Sequence, residues 1–170
     1  MGEMIFSDPL KLNAIRFGEK EAISYLDRRF TYKQLNDRVN KLAHALQSKG
    51  INKGDKVAFM LLNCNELVET MFACSKIGAI FIPINARFVG REIAHIVNNA
   101  KAGLLIYDIR FEEEVVRATE WTKTIQHFVS VGTNSSFTKV EYEQWIGEQP
   151  SVEPTPVVPL QETDTICYLY

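Results

Sequence analysis

The chain has 170 residues, enough for one domain with a sizeable core and short for two. Hydrophobic residues make up 46%, charged residues 24%, and the formal net charge is −2. This balance gives no electrostatic reason to expect nucleic acid, and no Lys/Arg stripe is present that would dock an anionic membrane.

"MGEMIFSDPLKL" carries acidic residues and no long apolar run, so it is neither a secretory signal nor a transit peptide. Gly2 follows Met1, but Phe6 stands where a myristoylation signal needs Ser or Thr. No stretch reaches the ~20 apolar residues of a membrane helix. Asn134-Ser135-Ser136 fits a glycosylation sequon, but without an export signal it is a chance match. The expected location is cytoplasmic.

In "DPLKLNAIRF", Asp8 as N-cap and Pro9 at the first helical position predict a short helix. "AISYLDRRFTY" alternates around a tight Asp27-Arg28 turn and reads as a hairpin. Thr31 and Gln34 form a capping box, and Leu35, Val39, Leu42 and Leu46 give the following helix one apolar face. Lys33, Asn36, Lys41 and Gln47 are assigned to its other faces. Gly50 ends it, and "KGDKVAFMLL" supplies a turn and an apolar strand.

Asn63 with Glu66 is the expected cap of a second long helix. Leu67, Val68, Met71, Phe72, Cys74 and Ile77 make it apolar around most of its circumference, so it should be buried on more than one side. Gly78 stops it and "AIFIPI" is the next strand. "REIAHIVNNA" then "GLLIYD", and "FEEEVVRATE" then "HFVSV", repeat the unit. "GTNSSFTK" reads as a surface loop and "EYEQWIG" as a short helix.

Alternating helices and continuously apolar strands predict an α/β fold: a parallel sheet with helices on both faces, joined by right-handed crossovers. The expected organisation is an α/β unit over 1–149, a proline-rich linker over 150–163 holding four of the six prolines, and a new strand opening at 164–170. "DTICYLY" has the β-branched and aromatic residues of a buried strand, and the reading is that this chain is a piece of a larger protein.

Few motifs carry chemistry. There is no G-x-x-x-x-G-K-[ST], no G-x-G-x-x-G and no G-x-S-x-G. His44, His95 and His127 are isolated, so a metal site is not expected, and His95 reads as a partly buried histidine. Cys64, Cys74 and Cys167 form no C-x-x-C pair and are odd in number, against a disulfide framework; Cys64 and Cys74 read as core. Phe59, Phe72 and Phe81 read as core rather than as a stacking platform, and Glu112–Glu114 as a solvated helix start. Asn85 and Arg87 follow the carboxyl end of a strand, where α/β sheets commonly bind ligands, and are the candidate pocket-lining residues.

The combined motifs resemble the adenylate-forming acyl-CoA synthetases. Phe30–Leu35 matches [FL]-[ST]-Y-x-[EQ]-L, Gly50–Val57 matches G-[IV]-x-x-G-D-x-V, Lys76–Ala79 matches K-x-G-A, and Pro83–Arg87 matches P-[IL]-N-x-R. The resemblance runs through "REIAHIVNNAKAGLLIYD" and covers most of residues 5–170, with Val89-Gly90 standing where many members have a polar or acidic residue. It implies the N-terminal subdomain of an enzyme that activates a carboxylic acid, a fatty acid or related acid, with ATP and Mg to an acyl-adenylate and passes the acyl group to CoA. The implied phosphate loop, metal and lysine lie in segments absent here, so no catalytic residue is assigned to this chain and no cofactor is expected on it. Its partners would be the acid and CoA through the rest of the enzyme, and a homodimer is among the expected assemblies. The competing readings are another adenylating enzyme (an aryl-acid ligase or a peptide-synthetase adenylation domain) and a stand-alone α/β interaction module without enzyme activity.

Overall fold

A computed structural model describes residues 4–170; the lipidation reading at Met1-Gly2 lies outside them. Helix α1 (Asp8–Arg16) precedes a hairpin of β1 (Glu21–Tyr25) and β2 (Arg28–Thr31), and α2 (Tyr32–Ser48) follows. The parallel units are β3 (Lys56–Met60), α3 (Asn65–Ile77), β4 (Ile80–Pro83), α4 (Gly90–Ala100), β5 (Leu104–Asp108), α5 (Glu112–Ala118) and β6 (His127–Val131), and α6 (Tyr142–Gly147) comes last. A 3-10 turn, Ile109–Phe111, joins β5 to α5.

The four-stranded sheet has the order β4-β3-β5-β6, with every pair parallel. The chain steps one way from β3 to β4 through α3, then back past β3 to β5 through α4, and on to β6 through α5. The helices change face when the direction changes, so the crossovers share one hand, as parallel connections require. Side chains alternate across the strands. Val57, Phe59, Phe81, Leu104, Ile106 and Val129 pack with α1, α2, α3 and α6, whereas Ala58, Met60, Ile82, Leu105 and Tyr107 pack with α4 and α5. A sheet covered on both faces explains why its strands read as unbroken apolar runs.

Local signals fix several boundaries. The capping box at α2 is made: Gln34 N–H donates to Thr31 Oγ1 (3.3 Å) and Thr31 N–H to Gln34 Oε1 (2.9 Å). Gly78 closes α3 in the left-handed region at φ 75°. Other expectations move. Ser7, not Asp8, is the N-cap of α1, and Asp8 instead accepts the Ile5 N–H at 2.9 Å. The hairpin turn is Leu26-Asp27, one residue earlier than expected, because Tyr25 pairs with Arg28. Cys64, not Asn63, caps α3.

Helix α3 is buried on more than one side, as its composition predicts, with Cys74 and Ile77 in the core and half-buried Leu67, Met71 and Phe72 packed against it. The unexpected part is that its polar residues Asn65, Glu66, Glu69, Thr70, Ser75 and Lys76 are buried too. The polar side goes inward because partners meet it there. Glu69, with no exposed side-chain surface, accepts from Arg38 Nε (2.7 Å) and Nη2 (3.1 Å), from Asn65 Nδ2 (2.7 Å) and from Tyr142 Oη (2.7 Å). Glu66 takes Arg28 at 2.6 Å, and Arg38 also reaches Glu143 at 2.6 Å. The network ties β2, α2, α3 and α6 together. Asn36 is likewise buried rather than turned to solvent, and His95 is exposed rather than partly buried. Cys74 is fully buried, Cys64 and Cys167 are half-buried, and all three are free thiols. Among the described residues no helix is long and apolar enough to cross a membrane.

Removing one member of a buried ion pair strands the other charge and costs about 3–5 kcal/mol. Arg38→Met should therefore lower the urea-unfolding free energy by that order, and the double variant Arg38→Met/Glu69→Gln should recover a large part of the loss. Equal destabilisation in both variants would show that Glu69 does not depend on Arg38.

Candidate functional site at the carboxyl edge of the sheet

Strand order reverses between β3 and β5, and in open α/β sheets the crevice at such a point, beyond the carboxyl ends of the strands, is where ligands bind. Two loops flank it here. After β3 comes the segment 61–64, ending at the α3 cap, Cys64; burial pushes the Cys64 thiol up to about 12, so it is a protonated thiol at neutral pH. After β5, Asp108 turns back on its own loop, accepting the Arg110 N–H at 2.9 Å and the Arg110 guanidinium at 2.5 Å. Burial works against the Asp108 charge, but these hydrogen bonds outweigh it and hold the carboxyl below its usual range.

Asn85 and Arg87 lie at the end of the edge strand β4. Ile84 N–H still donates to Phe59 O (2.8 Å); then the Asn85 side chain accepts the Arg87 N–H at 3.0 Å, and Phe88 N–H returns to Asn85 O at 3.0 Å. This Asx turn is a local reason for asparagine at the position. The side chains of Asn85 and Arg87 are exposed. The turn leads into α4, where Val89 has no side-chain acceptor to offer as N-cap; its own N–H goes to Glu92 Oε2 (2.9 Å), and Gly90 N–H goes to Glu114 of α5 (2.9 Å). A Cβ on Gly90 would stand 2.8 Å from Arg117 Cβ, so α4 starts hard against α5.

Beside this turn, Phe88, Arg91, Glu92, His95, Ile96 and Tyr170 line an open, mainly apolar groove of 370 Å³. Asn85 and Arg87 do not line it. Tyr170 Oη donates to Asn99 Oδ1 at 2.8 Å, and the Arg91 guanidinium lies 5.0 Å from the Trp121 ring centre.

Glu112 does more than face solvent. One carboxylate collects the hydroxyls of Tyr107 (2.9 Å), Ser135 and Ser136 (2.7 Å) and the Ser136 N–H (2.9 Å), and so fastens the polar 132–139 loop to the end of β5. No spacing rule links residues this far apart, so sequence reasoning had no signal for it.

The phosphates of ATP need a dense set of backbone donors. At the edge described here, α3 opens on a cysteine cap with Glu66 in its first turn, and that carboxylate is engaged by Arg28. Among the described residues no three His, Cys, Asp or Glu side chains stand where they could hold a metal ion. These residues do not fit a nucleotide–metal complex.

The AMP-binding enzyme family profile matches residues 10–170. The chain belongs to that family. Crotonobetaine/carnitine–CoA ligases are similar to it; that of Salmonella enteritidis PT4 is 41% identical over 100 residues, which are 56% of this chain and 19% of the relative. Among solved structures, a putative long-chain-fatty-acid CoA ligase from Rhodopseudomonas palustris CGA009 superposes with a TM-score of 0.86 at 22% identity, covering 97% of this chain and 41% of that one. An anthranilate CoA ligase in complex with anthranoyl-AMP superposes with a TM-score of 0.84 at 24% identity, covering 96% and 30%. The chain thus spans well under half the length of these relatives, and it has the fold of their corresponding part.

The Glu112 anchor sets an acid response. Its carboxyl is held down to about 2, chiefly by the Ser135 hydroxyl, with burial opposing and Ser136 and Tyr107 assisting. A lowered carboxyl contributes stability that is complete above the ordinary value of about 4.3 and fades as pH falls below it. For Glu112 the loss is complete once pH passes below about 2. Glu112→Gln turns an NH₂ toward donors and should speed Ser136 amide exchange at neutral pH; unchanged exchange there would sink this assignment.

Proposed function

We propose that this chain is the N-terminal portion of an ATP-dependent acyl-CoA ligase that adenylates a carboxylic acid and transfers the acyl group to CoA. The observation that carries the proposal is the AMP-binding family match over residues 10–170. It supports a ligase over a stand-alone interaction module. ATP makes the acid carbon attackable by giving it AMP as leaving group; this chain's share is to build one wall of the enzyme and to present the Asn85–Arg87 turn at the sheet's carboxyl edge. We assign Asn85 to shaping that turn and Arg87 to lining a pocket completed by the rest of the enzyme. Without a phosphate loop, the chain by itself is inactive.

The first substrate reading is a fatty acid, in line with the fold shared with a long-chain-fatty-acid CoA ligase. A second has its own support: the 41% identity to crotonobetaine/carnitine–CoA ligases favours a short, charged acid. ATP, Mg and CoA are the cofactors of the proposed whole enzyme, working in the cytoplasm.

Two assays test this. The 170-residue chain, given ATP, Mg and a panel of fatty, aryl and betaine acids, should catalyse no ATP–pyrophosphate exchange; exchange by this chain alone would overturn its inactivity. The natural full-length protein should form acyl-CoA with at least one class in the panel, and failure with all of them would remove the ligase reading. In that protein Arg87→Ala should lower kcat/KM without shifting Tm, because the side chain is exposed here. An unchanged kcat/KM would reduce Arg87 to a turn residue.

A further inference from the structure

The segment 150–164 has no regular structure, yet it is pinned at points from Ser151 to Asp164. Prolines at 150, 154, 156 and 159 each lack an N–H donor, and the segment is held through its carbonyls and two carboxylates, Glu153 and Asp164. The donors form a stripe on α2 at spacings of four, four and three. Asn36 Nδ2 reaches Glu153 Oε1 (2.7 Å), Asn40 Nδ2 reaches Ser151 O (2.8 Å), His44 Nε2 bonds Val152 O (3.0 Å) and Gln47 Nε2 reaches Thr155 O (3.0 Å).

The second half of the grip comes from the Lys76-x-Gly78 turn, a sequence motif for which the proposed function gives no role. Lys76, only 6% exposed, donates to Glu153 Oε2 (2.6 Å) and Asn36 Oδ1 (2.9 Å). At Gly78 a Cβ would stand 2.6 Å from Leu160 Cδ2, so the missing side chain is the seat of Leu160. Lys53 then holds Pro159 O (2.9 Å) and Asp164 (2.6 Å). Directly beyond this grip the chain joins the sheet: Phe81 N–H donates to Ile166 O (3.0 Å) and Tyr168 N–H to Phe81 O (3.2 Å), a parallel bridge of Cys167 on the free edge of β4.

We propose that the α2 stripe and the Lys76-x-Gly78 turn form a clamp that seats the 150–164 strap and thereby sets residues 165–168 in register on β4, with Lys76 as the positioning residue. Two hydrogen bonds to a single residue, Phe81, are too few to fix a strand's register alone. The clamp supplies what the short pairing lacks. It explains why a lysine is buried at the end of α3: its carboxylate partner is 77 residues away and belongs to the strap. The meaning for catalysis rests on the ligase reading above; the clamp itself does not, and its test needs no activity.

Hydrogen exchange on this chain decides the matter. Lys76→Met should speed exchange of the Tyr168 and Phe81 amides by about tenfold or more, the loss of one charge-assisted hydrogen bond, while β3 and β5 amides stay protected. Glu153→Gln should give the same pattern and serves should Lys76→Met not fold. Ile93→Val, in the core on the other side of the sheet, should lower stability without the selective release. An unchanged Tyr168 amide, acceleration spread evenly over the sheet, or the same selective release in Ile93→Val would each overturn the proposal.

Discussion

One face of this domain depends on a carboxylate that water cannot reach. Glu69 is charged, fully buried and 31 residues along the chain from its guanidinium partner. A buried charge persists only where its lone pairs are filled, and here an arginine, an asparagine and a tyrosine fill them from three helices. The directions of Arg38 and Tyr142 are thereby fixed, and with them the angles at which α2 and α6 lie on α3. Burial and the neighbouring carboxylate together push the Tyr142 hydroxyl well above its ordinary range, which keeps it a donor. The cost is visible close by, where Asn65 Oδ1 and Glu66 Oε2 are buried without a partner among the described residues.

The two faces of the sheet are consequently built on different principles. Under α4 and α5 the core is apolar, and its helices show the apolar spacing that marks them in the sequence, with Ile93, Ile96 and Val97 turned inward. Over α2, α3 and α6 the inward surface is partly polar. That difference decides how much was legible. The strands, the α2 capping box, the Gly78 stop and the α4 stripe follow local rules and were readable. The polar side of α3 was not: Leu67, Met71 and Phe72 pack on the core as their hydrophobicity predicts, but Asn65, Glu66 and Glu69 are buried as well. Nothing near α3 announces partners that lie on β2, α2 and α6. The stripe Asn36, Asn40, His44, Gln47 is an intermediate case. Its helical spacing stands in the sequence, but polar side chains at that spacing ordinarily face water. Only the strap, more than a hundred residues later, gives them an inward role.

The candidate site was legible in part for the same reason. Asn85 sits where a turn needs an Asx acceptor, and Arg87 follows it at the strand's end. Glu112 could not be found, since its four hydrogen bonds run to β5 and to a loop beyond β6. Family resemblance placed the fold well and the chemistry less well, as expected when a superfamily shares its scaffold and varies its pockets.

The charges at the carboxyl edge bear on what chemistry this edge can do. Asp108 is neutralised by Arg110, Glu66 by Arg28, and Glu112 by hydroxyls and an amide. Groups committed to such partners are poor general acids or bases, because moving a proton breaks the contacts that position them. Arg87 differs: it is a cation whose backbone is held by a turn while its side chain extends into solvent. The internal ion pairs thus hold this edge together, while the Asn85 side chain is spent on the Arg87 N–H and the Arg87 side chain reaches solvent.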